Sequence, residues 1–281
     1  MGTFRYVVVD VFTDRALAGN QLAVFTDARD IPETQLQPLA REMNFSETVF
    51  VYPAEHGGHA RIRIFTPGNE VPFAGHPTLG TAFVLAGPLQ LPEIRLETGS
   101  GIVPVRLERE GPRIIFGRME QPLPTIEPYG EGLAELFAAL GVEGSELPVE
   151  IYDNGIRNAY IALRSEDEVA VLEPNTAMLK RVGRAEANCF AGSGHRWKTR
   201  MFDTSHGIDE DPATGSAAGP LALHLARHGH IAFGEEIEIS QGAEIGRPST
   251  LYARVEGSAE RVEKVEVGGS AVLVARGEFR L

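Results

Sequence analysis

The sequence has little cysteine, no long apolar run and fewer basic than acidic residues. Its 281 residues include one cysteine, Cys189, so the chain can form neither an internal disulfide nor a thiolate metal cluster. Lysine and arginine number 26 against 39 acidic residues, and the net charge of −13 argues against nucleic acid and anionic membrane surfaces as partners. No apolar run approaches the ~18 residues of a membrane span. With no secretory signal before the first strand-like segment, a cytoplasmic protein is expected.

Several catalytic motifs are also missing. The sequence has no G-x-S-x-G nucleophile elbow, no G-x-G-x-x-G fingerprint and no P-loop, which argues against the enzyme classes that these motifs define. His224 and His228 are four residues apart in a helical segment, but the glutamate of a zincin motif does not lie between them. The expected interpretation is two histidines on the polar face of a helix. Neither a metal nor a cofactor is predicted.

One pattern occurs twice in the chain. Residues 70–76 read EVPFAGH, and residues 210–216 read EDPATGS, half a chain length later. The tripeptides RIF (63–65) and RMF (200–202) precede the two copies, and a helix rich in small apolar residues follows each. A repeat of this length predicts two similar domains, with two helix starts facing one cleft.

The secondary-structure pattern is dominated by strands. Alternating polar and apolar residues predict strands at 60–65, 93–98, 103–108, 235–240, 251–256, 261–267 and 271–275. Helices are expected at 33–43, 77–85, 132–140 and 214–228, with Pro38 kinking or shortening the first and Pro220 disturbing the last. The predicted fold class is α+β, with strands around one buried helix in each domain. The proline-rich segment 121–128 is expected to be a stiff linker between domains 1–120 and 121–281.

The starts of the two motif helices are candidate anion sites. Gly75 and Gly215 let a ligand approach the backbone closely, and first-turn N–H groups carry the positive end of the helix dipole. Two such starts aimed at one cleft would hold a carboxylate and stabilise negative charge beside it. The alternative is two ordinary helices, the second capped by Thr214 or Ser216.

Three side chains near these helix starts suit acid–base chemistry. His76 begins the first helix, and Asp211 precedes the second. Glu47 lies where a loop becomes an apolar strand, and partial burial would raise its pKa and suit it as a general base. Each residue also has a structural alternative. His76 would be a hydrogen-bonded loop histidine, Asp211 a carboxylate that stabilises the positive end of the helix, and Glu47 a solvated residue at the end of a strand.

Five segments together resemble one family of enzymes. Residues 18–25 (AGNQLAVF), 41–47 (REMNFSE), 72–80 (PFAGHPTLG), 211–220 (DPATGSAAGP) and 241–249 (QGAEIGRPS) are similar to the PhzF-like isomerases of phenazine biosynthesis. This family shares the diaminopimelate epimerase fold. The resemblance covers essentially the whole chain, although the two catalytic cysteines of the epimerases are missing here.

The resemblance implies an architecture and a site. The fold would be two pseudo-symmetric domains, each a curved, mostly antiparallel sheet around a central helix, in a homodimer, with the last strand free to pack on the first domain. The first domain would carry the base Glu47 and the cleft residue His76. The second would carry the cleft residue Asp211. Four further residues match positions that contact substrate: Ser46, Gly75, Gly215 and Ser216.

The founding activity of the family sets the first of three functional hypotheses. It is the cofactor-free isomerisation of trans-2,3-dihydro-3-hydroxyanthranilate, a small anion, in which a proton leaves C3 and returns at C1 on the way to antibiotic phenazines. The second hypothesis is an isomerase or epimerase of another small amino or hydroxy carboxylate with the same glutamate base. The third is a small-acid binding protein without catalysis.

Overall fold

The computed structural model describes residues 2–202 and 209–281 and divides into two compact units. Unit 1 comprises residues 1–120 and 268–281, and unit 2 comprises residues 121–267. The C-terminal strand therefore belongs with the first half of the chain, because it pairs antiparallel with the first strand from Thr3↔Arg280 to Val11↔Ala271.

Unit 1 surrounds one helix with strands. Its strands are β1 (Thr3–Val11), β2 (Asn20–Phe25), β3 (Glu47–Tyr52), β4 (Ala60–Phe65), β5 (Glu70–Val71), β6 (Glu93–Thr98), β7 (Gly101–Glu110), β8 (Arg113–Gln121, whose last residue falls in unit 2) and β17 (Ala271–Arg280). Its helices are α1 (Glu33–Met43) and α2 (Gly75–Leu89). Helix α2 packs against β1, β2, β3, β6, β7 and β17. Its sequence has no charged residue, as expected for a helix that is mostly buried.

Unit 2 repeats this plan. Its strands are β9 (Thr125–Pro128), β10 (Glu150–Asp153), β11 (Arg157–Ala162), β12 (Glu186–Ser193), β13 (Arg196–Phe202), β14 (Glu236–Gln241), β15 (Ser249–Gly257) and β16 (Val262–Gly269, which ends in unit 1). Its α-helices are α3 (Leu133–Leu140), α4 (Glu166–Ala170), α5 (Thr176–Val182) and α6 (Gly215–Arg227), and a 3₁₀ turn spans Ala243–Ile245. Twelve of the thirteen residues of α6 are buried, and the helix packs against β11, β14 and β15.

The two units share one order of strand pairing. In unit 1 the pairs β1–β2, β2–β3, β3–β4, β4–β6 and β6–β7 alternate antiparallel and parallel. The pairs β10–β11, β11–β12, β12–β13, β13–β14 and β14–β15 of unit 2 follow the same alternation. The α+β class and the two-fold repeat predicted from the sequence are confirmed.

Some local expectations need correction. Helix α1 keeps its expected bounds, Glu33–Met43, so the expected shortening at Pro38 is wrong, whereas a kink there stays a prediction; helix α6 continues through Pro220 to Arg227. The segment expected to be a stiff linker is extended, but Thr125–Pro128 is strand β9 and pairs antiparallel with β10. PPII and β conformations lie in the same broad extended region of φ/ψ space, so composition alone does not separate linker from strand.

Two short helices were not expected. Helices α4 and α5 have five and seven residues, and the side chains of Ser165 and Asn175 cap their starts. No helix in residues 2–202 and 209–281 is long and apolar enough to cross a membrane.

Candidate active site

Each copy of the repeated motif is anchored by the same arginine–glutamate pair. In unit 1, Arg63 donates from Nε and Nη2 to the two carboxylate oxygens of Glu70 at 2.7 and 2.6 Å. In unit 2, Arg200 donates from the same two atoms to Glu210, both at 2.8 Å. Such bidentate pairs are geometrically specific. In each copy, these hydrogen bonds therefore hold the tripeptide and the motif that follows it together.

The strand register and an aromatic contact repeat as well. Ile64 pairs with Val71, and Met201 pairs with Asp211, so the two copies have the same alignment. The guanidinium carbon of Arg63 lies 5.2 Å from the ring centre of Phe65, and that of Arg200 lies 5.1 Å from the ring centre of Phe202. By this register Asp211 stands where the first copy has an apolar valine.

Helices α2 and α6, which follow the two motifs, begin without a side-chain cap. The N-cap residues are Ala74 for α2 and Thr214 for α6, and neither side chain accepts a hydrogen bond from its helix. Within the described residues, protein acceptors are also absent for four N–H groups: those of Gly75, His76, Gly215 and Ser216. The alternative of ordinary capped helices is therefore wrong. Uncapped first turns are able to bind an anion.

In unit 1, the fold brings Glu47 next to His76. Helix α1 ends at Met43, and the left-handed backbone of its C-cap residue Asn44 turns the chain so that β3 begins at Glu47, beside Leu22 of the parallel strand β2. Glu47 Oε2 then lies 3.4 Å from Nε2 of His76, and their side chains are 12% and 4% exposed. The two groups are close but not aligned as a hydrogen bond, since Nε2 has no aligned partner among the described residues.

His76 is neutral at physiological pH. Burial lowers its pKa to about 3, against the opposing effect of a hydrogen bond with the Gln21 backbone. The close contact with Glu47 is therefore an imidazole beside a carboxylate rather than an ion pair. Asn20 Nδ2 lies 3.2 Å from His76 Nδ1, and a neutral ring that accepts this amide hydrogen carries its own proton on Nε2, facing Glu47.

In unit 2, Asp211 belongs to a buried hydrogen-bond network. The hydroxyl of Thr214 donates to Asp211 Oδ2 at 2.7 Å instead of capping α6. The amide of Gln241 donates to Asp211 O and Thr214 Oγ1, at 2.8 and 2.9 Å, and its oxygen accepts from Thr214 N and Thr199 Oγ1. Gln241 therefore uses both ends of its amide to fix the segment before α6.

Three further side chains hold the first turn of α6. The carbonyls of Gly215, Ser216 and Ala217 accept hydrogen bonds from Gln121, Asn154 and Tyr160, respectively, at 2.7, 2.8 and 2.7 Å. The second of these bonds explains why Pro220 is tolerated. The ring of Pro220 cannot donate to the Ser216 carbonyl four residues earlier, and Asn154 donates to it instead.

The structure groups the predicted site residues by unit. Unit 1 contains Ser46, Glu47, Gly75 and His76, and unit 2 contains Asp211, Gly215 and Ser216. Sequence reasoning missed Asn20, Asn154 and Gln241 as supporting residues, although Asn20 and Gln241 lie inside quoted motifs. Burial raises the pKa of the Cys189 thiol to about 12, so this residue is not a thiolate nucleophile at neutral pH.

Comparison with known proteins gives consistent matches over the full length. The family model described as phenazine biosynthesis-like protein (PhzC-PhzF) matches residues 9–277. The trans-2,3-dihydro-3-hydroxyanthranilate isomerase of Pseudomonas fluorescens is 50% identical over 277 residues, covering 99% of each chain. The isomerase of the same name from Pseudomonas aeruginosa is also 50% identical, with the same coverage.

Solved structures extend the comparison to the fold. A phenazine biosynthesis protein of the PhzF family from Bacillus anthracis superimposes with a TM-score of 0.86 at 25% identity, covering 100% of both chains. A hydroxyproline epimerase from Agrobacterium vitis superimposes with a TM-score of 0.68 at 12% identity, covering 99% of this chain and 91% of the epimerase. At that identity, the second match concerns the fold alone.

Proposed function

Because the chain belongs to the phenazine biosynthesis-like PhzC-PhzF family, we propose that it is a cofactor-independent isomerase acting on trans-2,3-dihydro-3-hydroxyanthranilate. The observation that carries this proposal is the contact between a partly buried Glu47 and a buried, neutral His76 at the start of an uncapped helix. The 50% identity with two isomerases of this name, over 277 residues, supports the substrate.

In this proposal Glu47 is the general base. Its carboxylate takes the proton from C3, and negative charge spreads through the conjugated diene to C1 and the substrate carboxylate. The Glu47 carboxylic acid then returns the proton to C1, which gives an enol that tautomerises to the aminoketone. One residue serves both steps, so atoms and charges balance without an external donor.

The neutral state of His76 matters for this base. An imidazolium 3.4 Å from the Glu47 carboxylate would lower the pKa of that carboxyl and weaken it as a base. Burial keeps the ring uncharged, so His76 can orient a polar group of the substrate without this cost. Asn20 is the residue that we assign to setting the ring tautomer.

The helix starts supply the anion-binding groups of the proposal. The N–H groups of Gly75 and Gly215 begin α2 and α6, and no described protein atom accepts from them. They suit a carboxylate whose charge grows during proton transfer, because preorganised donors require no reorganisation at that moment. Ser46, Asp211 and Ser216 complete the proposed substrate contacts. A small anionic substrate also fits a protein of net charge −13 only if such local dipoles hold it.

The test is proton NMR of the purified protein with trans-2,3-dihydro-3-hydroxyanthranilate in D₂O. We expect the ring signals of the substrate to disappear with wild type and to persist with Glu47→Gln, which keeps the shape but cannot accept the proton. The control is Glu42→Gln, an exposed glutamate five residues away, which should behave as wild type.

Unchanged substrate with wild type would overturn the substrate assignment. The same assay applied to other small amino and hydroxy acids, with deuterium entering at carbon, would then favour the second hypothesis. Tight binding without any exchange would favour a binding protein. Equal turnover by wild type and Glu47→Gln would remove Glu47 as the base while leaving the activity in place.

The homodimer and the cytoplasmic location also remain part of the proposal. The dimer rests on the family resemblance and is checked by sedimentation of the purified protein, where a single species of twice 30.5 kDa is expected. The cytoplasmic location rests on sequence features alone.

A further inference from the structure

A second cluster of chemically active groups lies at the far end of α6 in unit 2. Glu150 on β10 and the histidines His224 and His228 each offer a ligand atom, and these atoms lie within 4.8 Å of one another. Glu150 Oε2 is 3.3 Å from His224 Nδ1 and 3.2 Å from His228 Nε2. The expectation of two histidines on a polar helix face is wrong, since His224 is completely buried. Its ring packs on Tyr160 and Phe190.

We propose that Glu150, His224 and His228 form a binding site for a divalent transition-metal ion, with Zn²⁺ as the best fit. Zinc takes imidazole and carboxylate ligands at about 2.0–2.1 Å in tetrahedral geometry, which separates neighbouring ligand atoms by about 3.3 Å. The separations of 3.3 and 3.2 Å from Glu150 to the two ring nitrogens match this edge length. His224 on α6 and the C-cap residue His228, one helical turn later, supply two ligands, and β10 supplies the third.

Access to the site is from the side of His228. The side chains of His228 and Glu150 are 22% and 15% exposed, so an ion can enter and a water molecule can complete the tetrahedron. His224 Nε2 has no acceptor among the described residues. Metal-ligating histidines usually donate their other ring N–H to an outer partner, so this site should be weaker than a structural zinc site.

Arg227 competes with the metal for the same carboxylate. Its Nη1 donates to Glu150 Oε2 at 2.7 Å and to the Tyr152 hydroxyl at 2.6 Å. The Arg227 side chain is 27% exposed, so it can leave the carboxylate for solvent when a divalent cation arrives. Removing this cation should tighten metal binding, whereas removing a true ligand should weaken it. The two effects have opposite signs.

The test is Zn²⁺ titration of chelator-treated full-length protein by calorimetry and thermal unfolding, with Co²⁺ as a visible-absorption probe of geometry. We expect one ion per chain, a rise in Tm and a tetrahedral Co²⁺ spectrum. His228→Ala should weaken binding by at least about tenfold, the scale of losing even an outer partner. Arg227→Gln should tighten it. His230→Ala, a histidine near Trp197 outside the cluster, is the matched control and should bind as wild type.

Several results would overturn the proposal. These are no binding to wild type, binding that His228→Ala leaves unchanged, or a loss that His230→Ala shares equally. Weaker binding in Arg227→Gln would mean that the arginine supports the site rather than competing for it. His228 is preferred to buried His224 as the test position because its partial exposure makes a folded variant easier to obtain, and near-UV circular dichroism checks this. Enzyme activity enters none of these readouts.

Discussion

The two copies of the motif have the same frame and different chemistry. Both use a bidentate arginine–glutamate pair, the same strand register and a glycine at the first helical position. They differ at four positions, where the first copy has Val71, Phe73, Ala74 and His76 and the second has Asp211, Ala213, Thr214 and Ser216. A duplicated scaffold thus supplies two equivalent helix starts, and a few substitutions decide what each one does.

The surroundings of the two helix starts differ as well. In unit 1, a glutamate and a neutral imidazole lie together with little hydrogen bonding between them. In unit 2, the start of α6 is fixed by hydrogen bonds from or to four side chains: Gln121, Asn154, Tyr160 and Gln241. We interpret unit 1 as the part that moves a proton and unit 2 as the part that holds a rigid array of donors and acceptors.

The largest expected effect comes from comparing two strand-initial glutamates. Glu47 begins β3 and Glu186 begins β12, each paired with a parallel neighbour at equivalent register. Glu47→Gln should lower turnover by about 10²–10⁴, the usual contribution of a general base. Glu186→Gln should leave turnover close to wild type, because its motif offers no histidine. Steady-state kinetics checks both variants, and equal losses would contradict the assignment of proton transfer to the first copy.

The next comparison concerns the two arginines. In unit 2 the side chains of Arg200 and Glu210 are 9% and 10% exposed, and Arg200 Nη1 also donates to the Leu172 carbonyl at 2.7 Å. Arg200→Met leaves a buried carboxylate without its cation and should cost about 3–5 kcal/mol of unfolding free energy. Arg63→Met leaves glutamates that are 40–71% exposed, and about 1 kcal/mol or less is expected.

Urea unfolding measures this difference. Trp197 is the only tryptophan of the chain and lies in unit 2, so its fluorescence follows that unit, while far-UV circular dichroism follows both. Similar losses for the two variants would mean that burial does not distinguish the pairs.

Local pattern predicted the frame of the molecule well. The strands at 60–65 and 93–98 begin and end where their alternation predicted, because a strand with one buried face alternates polar and apolar residues along the sequence. The repeated Arg, Glu and Gly positions also marked both helix starts. These signals are local, or are repeated within the chain, and need no knowledge of tertiary contacts.

The supporting contacts could not be predicted in this way. Asn20 contacts His76 from 56 residues away and Asn154 contacts Ser216 from 62 residues away. No periodic sequence pattern predicts contacts of this range. The burial of His224 was missed for the same reason, since its neighbours Tyr160 and Phe190 come from distant strands. The raised pKa expected for Glu47 stays a prediction.

The titration of His76 gives a third comparison of the two motif copies, through the pH dependence of stability. The folded pKa of about 3 lies below the ordinary value of 6.5, so the unfolded state binds a proton first as pH falls. Stability is therefore present above pH 6.5 and is lost as pH falls from there toward 3, by up to about 1.4 kcal/mol per pH unit. His76→Gln should reduce this slope and leave the part due to His224, whose pKa burial also lowers, whereas Ser216→Ala should keep the full slope. Unfolding curves between pH 7 and 5 test this, and identical slopes for wild type and His76→Gln would contradict the buried neutral ring.

The smallest expected effect concerns the hydrogen bonds that the backbone carbonyls in the first turn of each helix accept. Position 80 of the first copy is a glycine with a backbone N–H, and the equivalent position 220 is a proline without one. Asn154→Ala removes the side-chain donor to the Ser216 carbonyl and should cost about 1–3 kcal/mol. Pro220→Ala restores a helical N–H four residues after Ser216, so Asn154→Ala should cost about 1 kcal/mol less in that background. A double-mutant cycle followed by Trp197 fluorescence measures the coupling. Strictly additive losses would mean that the asparagine does not replace the missing backbone bond, and the difference between the two helix starts would then lie in the motif residues alone.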